Sequence, residues 1–438
     1  MIADTEFQWR KMVMIHKRAI LVTAGIAGIL WVPTQAAAQN ACPSVQIACG
    51  DTTKLPAPIY MAGSSAFEPI LGLLAVRIQK KQGVSIIYSP ISSCNGVSAI
   101  SPPAESPTLQ PLTGTAHYYI EDPTDSTKMA ACSCNLAGNN FADIGVSDVS
   151  FESCQGVAKP AGVGEWLGPE QAMLIVVPKG NLTTTALSAE QAGAIWGCGP
   201  LGNVAPFIDN TEIFCRTSSS GTQILVARNI GNSATTPPVF VPESSLTSDK
   251  CTSTSSSSDM LTRLVNAAEP QKAIGFIAVD FYATHRSSIN PVAFRGLRQK
   301  KAYYPDSTSI ADDLLNVREG RYMIQGPLHF FSALVGTQPS ASAGQVLNWL
   351  TGDAQIDSAN PGFYINTVAS SGDVPQCAMK VKISKDGGYF APYSPSSPCN
   401  CAFEKAKSLP TPGRCGTTCS SDAACAASGL HCQNGYCE

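Results

Sequence analysis

Small polar residues gather at three places where an apolar run gives way to a helix-forming stretch: Gly63-Ser64-Ser65-Ala66-Phe67, Ser92-Ser93-Cys94-Asn95-Gly96 and Ser219-Ser220-Gly221-Thr222. The first amides of a helix lack intrahelical partners and sit at the positive end of its dipole, so each junction is a potential cradle for an anion. A lone Ser or Thr before a helix is in most cases only a cap. Arg216 alone reads as a structural arginine, and Asp148 alone as a turn residue. Their order along the chain says more: a Gly-Ser-Ser junction, a Ser-rich junction, a strand ending in Ser147-Asp148, then Arg216-Thr217-Ser218-Ser219-Ser220-Gly221-Thr222. Together these describe an enclosure of hydroxyl and amide donors with one arginine for charge, and the chemistry is capture of a small oxyanion. Turnover has no such support. The chain has no Gly-x-Ser-x-Gly elbow, no His-Glu-x-x-His and no Gly-Lys-Ser/Thr phosphate loop, so neither an enzyme nor a cofactor is expected.

The elements that position these residues read as an α/β chain. Ile59-Tyr60-Met61-Ala62 predicts a strand and Phe67 to Gln82 a helix closed by Gly83, with Ser65 and Glu68 at capping-box spacing and Pro69 in the first turn. Val84 to Tyr88 predicts the next strand, completing a strand, helix, strand unit. The theme returns in strands at Phe141 to Val146, Gln171 to Val177 and Ala273 to Val279, and in a Ser-x-x-Gln-capped helix from Ser188 to Trp196. Ile213 to Cys215 leads into the arginine segment and a helix running to Ile230, and Gly344 to Leu350 closes the globular part. Thr252 to Ser258 reads as a low-complexity loop without function.

Composition limits the partners. The 438 residues carry 29 Lys+Arg against 32 Asp+Glu, a net charge of −3, and only 14% are charged. Nucleic acid is excluded, because the one short basic run, Arg295, Arg298, Lys300 and Lys301, is too modest to neutralise a phosphate backbone. His16-Lys17-Arg18, the apolar run Ala19 to Val32 and Ala36-Ala37-Ala38 have the three parts of a secretory signal, residues 1–38, with cleavage after Ala38; Met12 or Met14 would give a more usual start. The apolar run is too short to span a bilayer, so no membrane span is expected after cleavage. Seventeen cysteines fit the periplasm or the extracellular space. Neither Cys132-Ser133-Cys134 nor Cys399-Asn400-Cys401 has zinc-knuckle spacing and there are five histidines, so disulfides are expected rather than a metal, with one cysteine left over. Cys42 and Cys49 stand close enough in sequence to bridge as a small loop within a lead-in of residues 39–54. From Cys399 the chain holds seven cysteines in 40 residues, spaced C-x3-C-x5-C-x6-C-x4-C from Cys415 to Cys437, a module of residues 399–438 that needs disulfides to fold.

At Gly63 through Pro69, Tyr88 through Val97, Ile144-Gly145-Val146-Ser147-Asp148 and Arg216 through Thr222, the chain resembles the periplasmic phosphate-binding proteins that feed phosphate ABC transporters. Weaker echoes are Ala273-Ile274-Gly275-Phe276, Arg321-Tyr322-Met323-Ile324 and Pro327-Leu328-His329-Phe330, so the likeness spans about residues 55 to 355. The resemblance implies a two-lobed α/β periplasmic-binding-protein type II fold over residues 55–398, with one lobe near 55–165 and 275–398, the other near 166–274, and the ligand between them. Carried over by motif, Ser64, Ser65, Ala66 and Phe67 give hydroxyl and amide donors and Ser93 another hydroxyl. Arg216 gives a charge-assisted bond, and Ser220, Gly221 and Thr222 cover the anion from the opposite lobe. Asp148 discriminates, because a carboxylate only accepts and so demands a proton on the ligand, which hydrogen phosphate has and sulfate lacks. The implied partners are inorganic phosphate or a related oxyanion and an ABC permease. The pattern departs from the family at Ser218, where a carboxylate beside the arginine is usual, and at Cys94, whose expected partner is Cys132, Cys134 or Cys154. The segment 98–140 and the tail are also foreign to a simple transport protein. The alternative is a secreted or surface protein that keeps the fold and acts in adhesion through its tail; a third reading is phosphoester hydrolysis in the same cleft.

Overall fold

The computed structural model describes residues 42–102, 108–231, 250–410 and 413–438; the secretory signal expected at residues 1–38 lies outside these. A mixed α/β architecture is built on one ten-stranded sheet. Its order runs Ile47–Ala48, Asp125–Asn135, Thr115–Asp122, Ile86–Ser89, Ile59–Gly63, Ile144–Ser147, Gln325–Ala333, Val163–Pro178, Gly275–Ala278, and Ile289–Pro291 also pairs with Val163–Pro178. The middle strands, Ile86–Ser89, Ile59–Gly63 and Ile144–Ser147, are parallel, with Met61 opposite both Tyr88 and Ile144. Parallel neighbours end together, so their carboxyl ends present Gly63-Ser64, Ser92-Ser93 and Asp148 on one edge, the usual place for a ligand in an open α/β sheet.

The strand Val163–Pro178 is longer than the predicted Gln171 to Val177 because two partners share it. Val163 to Ala172 pairs with Gln325–Ala333, and Met173 to Pro178 pairs with Gly275–Ala278 and Ile289–Pro291. It therefore carries the sheet from the region of the first two junctions to the region of the third. A near-continuous apolar run, buried on both faces, is what such a central strand requires.

Several local predictions meet their elements. Ser188 and Gln191 form a reciprocal capping box at the start of Ala189–Cys198. Gly83, at φ 69°, ends the helix Glu68–Gln82 in the left-handed region. The Ser65 cap is corrected: Ser64 caps the chain by accepting from the Ala66 amide at 3.1 Å, and a 3-10 turn Ser65–Phe67 precedes the helix. Glu68 turns instead to the hairpin, paired with His117 and accepting from the Tyr119 hydroxyl at 3.2 Å. The presumed loop Thr252 to Ser258 is also corrected. Thr252–Thr254 pairs in parallel with Phe214–Arg216, and Ser256 caps the helix Ser257–Val265.

Eight disulfides form among the described residues. Cys42 and Cys49 do not bridge each other; they reach Cys132 and Cys134, stapling the lead-in to the strand Asp125–Asn135. Cys94 pairs with Cys154 and Cys215 with Cys251, one bridge on each side of the candidate site, and Cys198 is the free, exposed cysteine. In the tail, Cys377–Cys399, Cys401–Cys415, Cys419–Cys432 and Cys425–Cys437 are bonded. The sulfurs of Cys419, Cys425 and Cys437 cluster within 4.8 Å, but a disulfide has no thiolate to offer a metal. Among the described residues no helix is long and apolar enough to cross a membrane.

Candidate functional site

The three junctions converge. Gly63, at φ 149°, is held so tightly that a Cβ there would lie 1.9 Å from the Val146 carbonyl oxygen, and one on Gly96 would lie 2.5 Å from the Gly63 Cα. The absence of side chains at both positions lets the helix Ser93–Ile100 sit directly on the strand ends. Ser64 is placed beside Asp148 by this packing, and the Tyr88 hydroxyl donates to the Ser64 carbonyl.

The third junction closes over the other two. The Cys94 amide donates to the Ser219 carbonyl at 3.1 Å, and Ser92 Oγ donates to Ser219 Oγ at 3.0 Å. Gly221, first residue of the helix Gly221–Asn229, lies against Ser93 and Asp148: a Cβ on it would meet Ser93 Oγ at 2.4 Å and the Asp148 Cβ at 2.9 Å. Thr222 Oγ1 donates to Asp148 Oδ2 at 3.1 Å, and the Asp148 amide donates to Ser93 Oγ at 3.3 Å. Ser220 caps its own helix by accepting from the Gln223 amide at 3.4 Å. Ser64, Ser93, Asp148, Gly221 and Thr222 are therefore gathered in one buried cluster, with Ser220 buried at the cap of the same helix and the buried Arg216 near enough for its charge to act on Asp148. Of the rest, Ser65 is half-buried, the Ala66 amide is used by Ser64, and the Phe67 ring enters the core, edge-on to Phe330 at 5.3 Å.

Arg216 ends the short strand Phe214–Arg216 and is 3% exposed. Its backbone amide donates to Gln223 Oε1 at 2.8 Å and its Nη1 to Ser257 Oγ at 3.0 Å, while its Nε has no partner. Burial pushes the guanidinium down to about 10, opposed by the charges of Asp148 and Asp259. Asp148 is raised above the ordinary carboxylate range, first by burial, against the pull of Ser64, Thr222, the Arg216 charge and Ser93. Its Oδ1 has no partner. A desolvated donor and a desolvated acceptor thus share the enclosure, and each unsatisfied group carries a cost that a ligand with the opposite function removes.

Ser257 and Gln223, which hold Arg216, did not emerge from the sequence. A signal for Ser257 was present: Ser256 and Asp259 at cap spacing before Met260, Leu261 and Leu264 mark a helix start rather than filler. Two further buried carboxyls, Asp280 and Asp373, have strand and helix ends as their sequence context, and nothing local marks them.

No protein-family profile matches the chain, and no curated relative does. Among solved structures the chain is similar to an ABC-type phosphate transport receptor from Vibrio cholerae, at 16% identity over 72% of this chain and 99% of that one, TM-score 0.43. It is similar also to a phosphate ABC transporter substrate-binding protein from Clostridium perfringens, solved with bound phosphate, at 14% identity over 73% and 99%, TM-score 0.47. A third likeness is to a regulatory domain from Synechocystis, in complex with 2-PG, at 10% identity over 67% and 95%, TM-score 0.36.

Proposed function

We propose that the protein is an exported binding protein that closes on a protonated tetrahedral oxyanion, hydrogen phosphate before others, and hands it to an ABC-type permease. The observation that carries this reading is the pair of orphaned atoms in one buried enclosure, Arg216 Nε as donor and Asp148 Oδ1 as acceptor. An unprotonated oxygen satisfies the first and a P–OH group the second, so the complementary guest is an anion that still bears a proton. Gly221 and Thr222, contributed from beyond the long strand, supply the closing face, in the manner of hinge closure around a ligand.

Titration calorimetry of the mature chain with phosphate, arsenate and sulfate tests the reading. Phosphate and arsenate should bind and sulfate should not. Asp148→Asn replaces an acceptor with a donor, so it should weaken phosphate and admit sulfate, narrowing the preference by at least about tenfold, the worth of one buried hydrogen bond to a charged group. Absence of heat with all three anions at micromolar protein would refute the assignment.

A further inference from the structure

Behind Asp148 lie two carboxyls that oxyanion binding leaves unused. Asp280 stands in the first turn of the helix Val279–His285, and Asp373 follows Gly372, the left-handed end of the helix Phe363–Ser371. The two elements touch: a Cβ on Gly372 would lie 3.2 Å from the Val279 carbonyl oxygen and 3.3 Å from the Asp280 Cα. Asp280 is 1% and Asp373 0% exposed. Asp280 Oδ1 accepts from the Phe281 amide at 2.8 Å, and Asp373 Oδ2 lies 3.5 Å from the Gln171 side-chain nitrogen on the long strand. Asp280 Oδ2 and Asp373 Oδ1 have no partner.

The charges that bear most on the two carboxyls are negative. The charges that bear on Asp373 are those of Asp280, Asp148 and Glu170, and Asp148 bears on Asp280 as well. Of the elements packed on the helix Val279–His285, Glu68–Gln82 carries Glu68, engaged with His117 and Tyr119, and Arg77, paired with Asp357. Phe363–Ser371 carries Tyr364, whose buried hydroxyl is itself raised in part by Asp373. Arg216 acts on Asp148. Were Asp148, Asp280 and Asp373 all ionised, the one arginine would face three carboxylates in a desolvated region, and the field would repel the anion the enclosure is shaped for.

We infer that Asp280 and Asp373 form a proton-holding pair behind the enclosure, retaining at least one proton between them when an anion is bound, so that anion binding and proton uptake are linked. The inference rests on reading the enclosure as an oxyanion site. A proton held on either carboxyl gives an orphaned oxygen donor character and removes that part of the repulsion. Burial lifts both groups well above the ordinary carboxyl range, joined by the charge of Asp148 at Asp280 and by those of Asp280 and Asp148 at Asp373, in keeping with this role. When the pair loses its proton, anion affinity falls by up to about tenfold per pH unit.

Two measurements on the mature chain test it. The first is calorimetry with inorganic phosphate at about pH 8.5 in buffers of different ionisation enthalpy, which counts protons taken up per anion bound. Uptake by the wild type that is lost in Asp280→Asn and Asp373→Asn, with binding kept, is the expected result. Uptake that is zero, or unchanged in both variants because the phosphate itself supplies it, overturns the inference. The second is difference infrared spectroscopy of the anion-free protein at about pH 8.5, above the range of Glu170, where the carbonyl stretch of a protonated buried acid should be present and should be lost in the Asp280→Asn, Asp373→Asn double variant. Its absence from the wild type overturns the pair whatever binds. If that band is present while phosphate binds at no pH, the oxyanion reading fails and the inferred linkage fails with it, leaving only a protonated acid pair.

Discussion

Replacing Gly221 with Ala adds one carbon at the tightest point of closure. The position has helical backbone, and alanine is the better helix former, so the local cost to the helix Gly221–Asn229 is nil. Across the gap the added carbon would lie 2.4 Å from Ser93 Oγ, 2.8 Å from Ser93 Cβ and 2.9 Å from Asp148 Cβ. None of the three atoms is the far end of a flexible chain, and Ser93 is pinned by the Asp148 amide. Overpacking of this kind costs about 1–3 kcal/mol. On the closure proposed above, opening relieves the clash and the cost falls on the closed state rather than on folding. Through closure, the same energy weakens phosphate about 5- to 150-fold. Calorimetry gives the affinity, denaturation gives the folding stability, and solution scattering gives the compaction on adding phosphate. The Gly221→Ala, Ser93→Gly double variant, which removes both Ser93 atoms from the contact, should recover part of the loss. Wild-type affinity in Gly221→Ala would refute the reasoning, because it would mean that binding does not need this approach.

Ser257→Ala removes the hydroxyl that holds Arg216 Nη1 at 3.0 Å, a hydrogen bond from a buried charged group worth about 1.5–3 kcal/mol, so phosphate should bind about ten- to a hundredfold more weakly. Ser257→Thr should retain most of the affinity, and an unchanged Ser257→Ala would show that Gln223 alone positions the arginine. Glu170 gives a stability prediction. Its carboxyl, fully buried, is raised from 4.5 to about 7, first by burial, against a bond from Gln376. The native state therefore holds this proton longer than the unfolded chain does. Stability from this group is intact below pH 4.5 and declines as pH rises toward 7, by about 3 kcal/mol in all. Glu170→Gln should remove that slope and stabilise the protein at pH 8, measured by denaturant unfolding across pH; an identical pH profile for both proteins would refute the assignment.

What the sequence discloses and what it withholds divide along a physical line. Ser188 with Gln191, and Gly83 after Gln82, act on backbone groups within a few residues, so their spacing is sufficient to place them. The convergence of the junctions was legible for a related reason: each junction is a local pattern, and parallel strands bring their ends together whatever the remainder of the sheet does. The support for Arg216 was not legible, because Ser257 reaches it only through the parallel pairing of Thr252–Thr254 with Phe214–Arg216, 41 residues apart along the chain at the contacting pair. Asp280 and Asp373 meet across a turn-to-helix contact that no spacing encodes. Disulfide partners are of the same kind. Proximity in sequence favoured Cys42 with Cys49, but the short strand Ile47–Ala48 between them pairs with Asp125–Asn135, and each cysteine bridges to that strand instead, at Cys132 and Cys134.

The Cys-rich tail can be tested by where it is cut. Its first helix, Asn400–Ala406, packs on Phe363–Ser371, and Phe403 is fully buried. Arg318, itself 2% exposed, lies 4.7 Å over the Phe403 ring, donates to Asn400 Oδ1 at 2.9 Å and pairs with Glu404 at 3.5 Å. Deleting residues 399–438 therefore removes a buried aromatic, worth about 3–5 kcal/mol, and strips a buried cation of Glu404 and Asn400, leaving it the Ala378 carbonyl, a loss of similar size. Such a deletion should unfold or severely destabilise the protein, and any loss of adhesion or partner binding in it would report folding, not recognition. Truncation after Leu409 with Cys401→Ser keeps the helix, the Arg318 contacts and the Cys377–Cys399 bridge while removing the disulfide knob. That variant should keep its phosphate affinity and most of its thermal stability. If it loses phosphate binding while remaining folded, the knob acts on the oxyanion enclosure; if the full deletion is as stable as the wild type, the energetic role assigned to Phe403 and Arg318 is wrong.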